Sequence, residues 1–482
     1  MADPALWDVV RQAALGGRRG AAGVVADLAT VDGTPRLGWV LPPPARLVEQ
    51  RLLEHLDRLS TGTMSAHSGS GSGTGTTVLV GTGGWAFGAR AAAGAVHGGR
   101  LRVVDVLDPS VLSEPSADAV VAVSESGDTT ETRILTSAIA GRWGVEPVRL
   151  AGKDLWLDPG APSVALFSAP SSAPFLLAAA IARSGPSGDR LGSRAVLRSY
   201  RRFAEQADHQ GEWAAAVSRR IPRTRCRILL RLPPDAGEGL RLFTLQLLRQ
   251  GLGGKLPEGG PWWDVVADGS TPYPAPAPAS VLRLPGTAPH TDPLTRLMLR
   301  CHAIAALVAC VGARQGVRFA EHPAVAGYKR LLGRDLAVLD GTETGRNGTE
   351  PDGPMDVVRE VSRWARARRG LTRAHLVCYD PRLTLAKAPA ADQLTAATGL
   401  PWEVHPGSSW NHHSYQAVSG EPDLGVVAIA PAPADRPESD AGELIRVQAE
   451  LAAATCASLG DRALLLRTAR PALEAPKEPM PS

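Results

Sequence analysis

Short apolar runs alternate with helix-like segments from residue 78 onward. The runs at 78–80, 101–106 and 119–123 are rich in valine and leucine and are bounded by glycine, proline or serine, which is typical of buried strands. Helix-like segments follow at 89–96 and 129–143. Strands that are apolar throughout and alternate with helices predict a parallel sheet covered on both faces. The predicted fold class of this part of the chain is therefore α/β.

The same alternation returns in the second half of the chain. It predicts strands at 227–232, 374–379 and 424–430, and helices at 240–250, 295–312, 355–368 and 441–459. We therefore expect two tandem α/β domains, each a parallel sheet flanked by helices, which divide near residues 190–220.

Composition shifts along the chain set the predicted limits of its segments. The Gly/Ser content between the first helices and the first strand is typical of a flexible linker, and the Pro- and Glu-rich end is typical of a disordered tail. The predicted segments are a helical segment (1–60), a linker (61–77), a first domain (78–200), a second domain with a C-terminal segment (201–470) and a disordered tail (471–482).

Composition also narrows the class of protein. The chain has 482 residues, 44% of them hydrophobic, which is enough for buried cores. Its formal net charge is +4 with mixed signs, unlike the dense basic patch of a nucleic-acid-binding protein. The 5 cysteines include no CxxC pair, so neither a zinc site nor a disulfide framework is expected. We find no signal peptide and no membrane-spanning run, and we expect a cytoplasmic protein.

The sharpest local signal is the segment SESGDTTET at 124–132, between a predicted strand and a predicted helix. An anion at this point would meet unpaired backbone N–H groups and the positive end of the helix dipole. The hydroxyls of Ser124, Ser126 and Thr129 are spaced to converge on one phosphate. The alternative interpretation is an ordinary helix cap with additional hydroxyl groups.

A glycine-rich turn, Gly81-Thr82-Gly83-Gly84, follows the first predicted strand. Glycines at such a turn allow the backbone to approach a ligand closely. With Ala86 the turn also matches the G-x-G-x-x-A dinucleotide fingerprint, and Asp105 lies at the end of the next strand. A nicotinamide-dependent oxidoreductase is therefore a rival hypothesis, but it leaves the serine-rich segment unexplained.

The segment GSSWNHHSYQ at 407–416 combines two histidines, an amide and several hydroxyl groups. Such groups can transfer protons in catalysis. The alternative interpretation is a polar loop whose histidines face water. Because adjacent side chains point in different directions, one working imidazole is more plausible than a metal shared by His412 and His413.

Taken together, these segments resemble the glucose-6-phosphate isomerase family within the wider group of SIS (sugar isomerase) domains. The resemblance is closest to the isomerase half of bacterial transaldolase–isomerase fusion proteins. It extends in collinear order over about 37–466 and rests on LGWV (37–40), VGTGG (80–84), DVLDPSV (105–111), SESGDTTET (124–132), GLGGK (251–255), AEHPAVAGYK (320–329) and GSSWNHHSYQ (407–416).

The resemblance implies two SIS-type domains and aldose–ketose isomerisation of glucose 6-phosphate and fructose 6-phosphate through an enediol, with no metal and no cofactor. Position by position, it implies that Ser124, Ser126 and Thr129 hold the phosphate. It implies that His412 assists ring opening and that Lys329 lies near the sugar oxygens. Family members are commonly homodimers, so a homodimer is expected.

Several positions depart from the family pattern. Trp85 stands where the family has serine after the glycine turn, and its indole could fill part of the sugar pocket. Glu125 replaces a lysine in the phosphate segment, which should weaken anion binding unless its side chain points away. The family's Gly-Gly-Arg, whose arginine stabilises the enediolate, aligns with 169–172, where no arginine occurs.

The family's catalytic glutamate is also replaced. It aligns with Gly251, next to Gln250, and neither residue can abstract a carbon-bound proton. Glu258 is one candidate substitute and Glu321 a weaker one. The predicted substrate pocket consists of Gly83, Gly84, Trp85, Glu125, Gln250, Gly251 and Glu258.

Three functions follow in order of preference. The first is a phosphohexose isomerase with a rearranged site. The second is a catalytically impaired sensor or partner subunit that binds a sugar phosphate on the same scaffold. The third is an NAD(P)-dependent oxidoreductase. The partner in the first two hypotheses is a small sugar phosphate, with neither nucleic acid nor membrane involved.

Overall fold

A computed structural model of the chain describes most of its residues and divides it into two compact units. The N-terminal unit comprises Met1–Gly327 and Ser408–Pro422, and the C-terminal unit comprises Tyr328–Gly407 and Asp423–Ser482. The described residues are 5–66, 75–127, 129–157, 169–184, 190–256, 260–267, 280–288, 290–332, 354–380, 387–432 and 439–468.

The N-terminal unit contains most of the helices. These are α1 (Ala5–Ala14), α2 (Gly20–Leu28), α3 (Ala45–Ala66), α4 (Gly84–Ala95), α5 (Thr130–Trp143), α6 (Ala173–Ser184), α7 (Arg190–Ser218), α8 (Glu238–Gly251), α9 (Pro293–Gln315) and most of α10 (Pro323–Lys329). Its strands are β1 (Thr30–Val31), β2 (Thr34–Pro35), β3 (Thr77–Gly81), β4 (Leu101–Val104), β5 (Ala119–Ser124), β6 (Val148–Ala151), β7 (Arg227–Leu232), β8 (Trp262–Ala267) and β9 (Ser280–Arg283).

The C-terminal unit is a smaller α/β arrangement. Its elements are α11 (Pro354–Ala367), β10 (Arg373–Cys378), α12 (Lys387–Thr398), β11 (Trp402–Pro406), β12 (Leu424–Pro431), α15 (Asp440–Leu459) and β13 (Ala463–Thr468). Between β11 and β12 the chain contributes α13 (Gly407–His413) and α14 (Tyr415–Ser419), and residues 408–422 belong to the N-terminal unit.

All three larger sheets are parallel. The first has the strand order β4-β3-β5-β6 and the second has the order β8-β7-β9. The third, in the C-terminal unit, has the order β11-β10-β12-β13. The central strands β3, β5 and β12 are buried along their whole length, as expected for sheets covered on both faces. The predicted α/β class, with parallel sheets flanked by helices, is confirmed.

The core of the N-terminal unit is organised around α9. Asp292 caps this helix by accepting a hydrogen bond from the N–H of Thr295 at 3.0 Å, Pro293 opens it, and Gly316 ends it in the left-handed conformation. All of 297–312 is buried, and α9 packs along α7. Among the described residues α9 alone is long and apolar enough to cross a membrane, but a buried core helix has the same composition.

Some of the predicted segment boundaries differ from the boundaries of the elements in the structure, and others lie outside the described residues. The predicted division at residue 200 falls within α7, a 29-residue helix, and the two compact units have other limits. The predicted linker is partly replaced by the end of α3 and the start of β3, while 67–74 lie outside the described residues. The predicted tail at 471–482 also lies outside them.

Candidate functional site

Two loops meet where the strand order of the first sheet reverses. From β3 the chain passes to β4 on one side, and then crosses to β5 on the other side. The carboxyl ends of β3 and β5 are adjacent, because Gly81 pairs with Val123. In open parallel sheets, ligands bind outside the carboxyl ends of the strands at such a switch point. The glycine turn and the serine-rich segment are the two loops that leave this point.

The serine-rich segment forms a tight loop ahead of α5. Ser124 ends β5 and is buried, and its hydroxyl lies 2.9 Å from the Thr129 hydroxyl and accepts a hydrogen bond from the Thr129 N–H at 3.4 Å. Gly127 turns the loop with φ +77°. Thr129 precedes α5 but its side chain makes no capping hydrogen bond. The first turn of α5 thus follows this loop directly, as both the anion-site and the helix-cap interpretations predict.

The outer part of this loop is exposed and carries a charge pair. Ser126 and Glu125 are both exposed. The Glu125 carboxylate lies 3.7 Å from the Arg36 guanidinium, whose side chain is 16% exposed. The negative charge that replaces the family's lysine is thus partly balanced by an arginine. Asp128 lies outside the described residues.

The glycine turn lies directly against His412 and Gln246. Gly83 has φ +66° and ψ −146°, a conformation that is almost restricted to glycine. A Cβ at Gly83 would lie 3.2 Å from Gln246 Nε2 and 3.4 Å from His412 Nδ1. At Gly84 it would lie 3.1 Å from Gln246 Oε1. These two glycines allow the backbone to approach both polar side chains.

His412 lies in a buried helical segment. All residues of 408–418 are buried, so the alternative interpretation of a polar loop facing water is wrong. The Ser408 hydroxyl accepts a hydrogen bond from the Leu107 N–H at 3.4 Å, and Ser414 accepts one from Arg249. The Ser409 hydroxyl and His412 Nε2 are buried without a hydrogen-bond partner among the described residues.

A buried carboxylate faces His412. Glu131, in the first turn of α5, is 2% exposed, and its Oε1 lies 3.4 Å from His412 Nε2. The two atoms are within ion-pair distance but do not form a hydrogen bond. The other ring nitrogen of His412, Nδ1, lies toward Gly83 of the glycine turn.

His413 has different surroundings from His412. Its Nδ1 lies 2.7 Å from the Ser414 hydroxyl, and its ring packs near Phe87. Ser414 also accepts a hydrogen bond at 2.9 Å from Arg249, which in turn donates to Asp264. These contacts make His413 part of a structural network.

The aligned position of the family's base is filled by packing. A Cβ at Gly251 would lie 2.6 Å from Val308 Cγ1 of α9, so there is no space for a side chain. Gln250 is buried and accepts a hydrogen bond from Gln246 at 3.1 Å. Glu321 pairs with Arg318 on the surface, and Glu258 lies outside the described residues.

Trp85 packs against another indole. Its ring meets that of Trp156 edge-on, with centroids 5.6 Å apart, and it borders the core of the N-terminal unit. The suggestion that it fills part of a sugar pocket stays a prediction. Lys329 is exposed at the end of α10 and belongs to the C-terminal unit, and its suggested role also stays a prediction.

The structure gives little support to a dinucleotide site. The first sheet has the order β4-β3-β5-β6, which is 2-1-3-4 when its strands are counted from its own first strand. Dinucleotide-binding folds have the order 3-2-1-4-5-6. Asp105 is 2% exposed and forms an ion pair with Arg90. Burial raises the pKa of the Asp105 carboxyl, while the Arg90 guanidinium opposes that rise. The carboxylate that a ribose would require is therefore already engaged.

Comparisons with known proteins give only distant structural similarities. No family model matches the chain, and no curated protein matches it. A hypothetical protein from Thermus thermophilus is 18% identical with a TM-score of 0.42, over 68% of this chain and 94% of that one. A candidate phosphosugar isomerase from Bacillus subtilis is 9% identical with a TM-score of 0.37, over 57% and 96%.

A third solved structure is the C-terminal domain of glucosamine-fructose-6-phosphate aminotransferase from Francisella tularensis. It is 11% identical with a TM-score of 0.30, over 56% of this chain and 96% of that one. At these identities and TM-scores the similarities carry no argument about function. The proposals below rest on the geometry of the described residues.

Three residues at the site were not predicted from the sequence. Glu131 had a weak signal, since it lies within the serine-rich segment, in the first turn of α5. Gln246 had a signal in its spacing, because it lies four residues before Gln250 on α8 and therefore on the same face of that helix. Arg36 carried no signal, because only the fold brings it to Glu125.

Proposed function

We propose that this chain is a phosphohexose isomerase-like protein that binds a sugar phosphate at the carboxyl edge of its first sheet. The observation that supports this most directly is the pair formed by Glu131 and His412. The pair links the helix behind the serine-rich loop to the glycine turn. On this proposal the anion would bind at the serine-rich loop of the switch point, ahead of the helix that carries Glu131.

The phosphate would bind at the start of α5. The hydroxyls of Ser124 and Thr129 already lie 2.9 Å apart, so two hydroxyl groups and the helix N–H groups could surround one anion. Ser126 is exposed on the same loop and would complete the set. The helix dipole would contribute about 0.3–1 kcal/mol to anion binding at an exposed site.

His412 would transfer protons with Glu131 behind it. Ring opening requires one proton to reach the ring oxygen and another to leave the anomeric hydroxyl. Isomerisation then moves a proton between the two adjacent carbons through an enediol. A neutral imidazole held by a carboxylate can accept and return such protons near neutral pH. Glu131 would stabilise the protonated ring, as the carboxylate does in a catalytic triad.

A second candidate function is a sugar-phosphate sensor. It is favoured by the neutral amides of Gln246 and Gln250 and by the filled position at Gly251, where the family has its catalytic glutamate. On this hypothesis the scaffold binds the ligand, and the His412–Glu131 pair opens the ring at most. Glucose 6-phosphate and fructose 6-phosphate are the ligands that the family resemblance suggests for both hypotheses.

The test is a coupled assay with fructose 6-phosphate, run beside a thermal-shift titration with the same ligand. The variants are Glu131→Gln, His412→Ala and the double variant Ser124→Ala with Ser126→Ala. Glu146→Gln is the matched control, because Glu146 is an exposed glutamate just beyond α5. Circular dichroism establishes that each variant is folded.

If the isomerase proposal holds, wild type and Glu146→Gln turn over fructose 6-phosphate. Glu131→Gln and His412→Ala then lose about 10²–10⁴-fold in kcat/KM. A thermal shift that depends on Ser124 and Ser126, without turnover, would favour the sensor. If the protein shows no turnover and no thermal shift, both functions are rejected for this ligand.

A further inference from the structure

Three potential metal ligands lie together on the sheet of the C-terminal unit. His375 is on β10, and Glu403 and His405 are on the neighbouring edge strand β11. His375 pairs directly with Glu403, and His405 follows Glu403 by two residues. Because side chains alternate along a strand, all three project from the same face of the sheet. The register of two parallel strands thus brings them together.

The distances between their polar atoms fit a metal ion. The Glu403 Oε2 atom lies 3.1 Å from His405 Nε2 and 3.7 Å from His375 Nε2. One ligand atom from each residue lies within 4.8 Å of the others. Ligand atoms about 2.0–2.1 Å from a tetrahedral zinc ion lie roughly 3.3 Å from one another. Small side-chain rotations would therefore bring the three atoms to one ion.

The surroundings also suit an ion. The side chains of His375 and His405 are 1% and 6% exposed, and that of Glu403 is 18% exposed. Buried ionisable groups that cluster in this way are usually paired or coordinate a metal. The partial exposure of Glu403 leaves one side from which an ion could enter. In the described part of the chain, this is the one group of three such side chains with its ligand atoms this close.

We propose that His375, Glu403 and His405 form a binding site for a divalent ion of the zinc class. Two imidazole nitrogens and one carboxylate oxygen are a set that zinc accepts, whereas magnesium and calcium prefer oxygen ligands. Three protein ligands leave a fourth position for water or another small ligand. The site is independent of Ser124 and His412, so it does not rest on the proposed isomerase function.

The test uses the full chain after removal of metals by a chelator and dialysis. Isothermal titration with zinc is expected to give one ion per chain, and magnesium is expected to give no binding. Zinc should raise the melting temperature, and cobalt should give the visible absorption of a tetrahedral site. Glu403→Gln and His405→Gln are the test variants. His97→Ala, which removes an exposed imidazole, is the control.

The proposal predicts that both test variants weaken zinc binding by at least about 10–100-fold, the loss seen even for outer-shell partners. The control should bind like wild type. Circular dichroism shows whether each variant is folded, and either test variant alone is sufficient for the comparison. Absence of stoichiometric zinc binding by wild type would overturn the proposal. Unchanged binding by a folded test variant would overturn it as well.

Discussion

Gly83→Ala should disturb both the fold and the candidate site. Gly83 precedes α4 with φ +66° and ψ −146°. An added Cβ would lie 3.2 Å from Gln246 Nε2 and 3.4 Å from both Cβ and Nδ1 of His412. The contact with Gln246 is short enough that this side chain must shift by a few tenths of an ångström, whereas 3.4 Å is close to an ordinary van der Waals contact. The substitution therefore combines backbone strain with a shift of Gln246 beside the proposed proton-transferring imidazole.

The size of the effect follows from these two contributions. A non-glycine residue in this region of backbone conformation costs about 1–3 kcal/mol. Movement of Gln246 would weaken its hydrogen bond to Gln250, at about 1 kcal/mol. The free energy of unfolding should thus fall by about 2–4 kcal/mol. Strain in the glycine turn, which lies against His412, should also reduce any isomerase activity by about tenfold or more.

Denaturant unfolding, followed by circular dichroism, measures the first effect and the coupled assay the second. Gly94→Ala is the matched control in the same helix, because a Cβ at Gly94 would meet nothing within 4 Å. Alanine is the better helix former, so the control should gain up to about 1 kcal/mol. If Gly83→Ala were as stable as Gly94→Ala, the conformational argument for Gly83 would be refuted.

Three other substitutions test separate parts of the structure. Glu125→Gln should tighten sugar-phosphate binding about 2–5-fold at low salt by freeing Arg36, measured by thermal-shift titration, and weaker binding would contradict this. Burial lowers the pKa of His302 to about 4 from 6.5, so the unfolded chain takes up the proton first as the pH falls. About 3 kcal/mol of stability is then lost between pH 6.5 and 4, and denaturant unfolding of His302→Leu should lack this part of the loss. Gly251→Ala should destabilise the fold by about 1–3 kcal/mol because of Val308, and a neutral effect in denaturant unfolding would show that α9 yields easily.

The sequence predicted the elements whose signal is local. The valine runs of β3 and β5 and the apolar spacing of α9 identify these elements without any tertiary information. The strand β6 was missed because it has only four residues with mixed burial. The long helix α7 was crossed by a predicted domain division because its charged face resembles a polar connection. Its burial against α9 depends on contacts distant in sequence.

The candidate site shows the same limit. The serine-rich loop and the glycine turn are continuous in sequence, and both were predicted with nearly their observed bounds. The partner of His412 could not be found in this way, because Glu131 and His412 are 281 positions apart in the sequence. Likewise, the contact of Gly251 with Val308 depends on how α8 packs on α9. Functional groups within one short segment can be predicted from the sequence, but contacts between segments that are distant in sequence depend on the fold.

The discontinuity of the N-terminal unit has a consequence for its synthesis. The His412 segment leaves the ribosome only after the 80 residues from Tyr328 to Gly407 have been made. At about 5–20 residues per second, this delay is roughly 4–16 s. During that interval the nascent unit must exist with the place of a buried polar helix still vacant. Translation speed through this stretch, or a chaperone that shields the gap, should therefore affect the yield of folded protein more than it would in a unit with contiguous sequence.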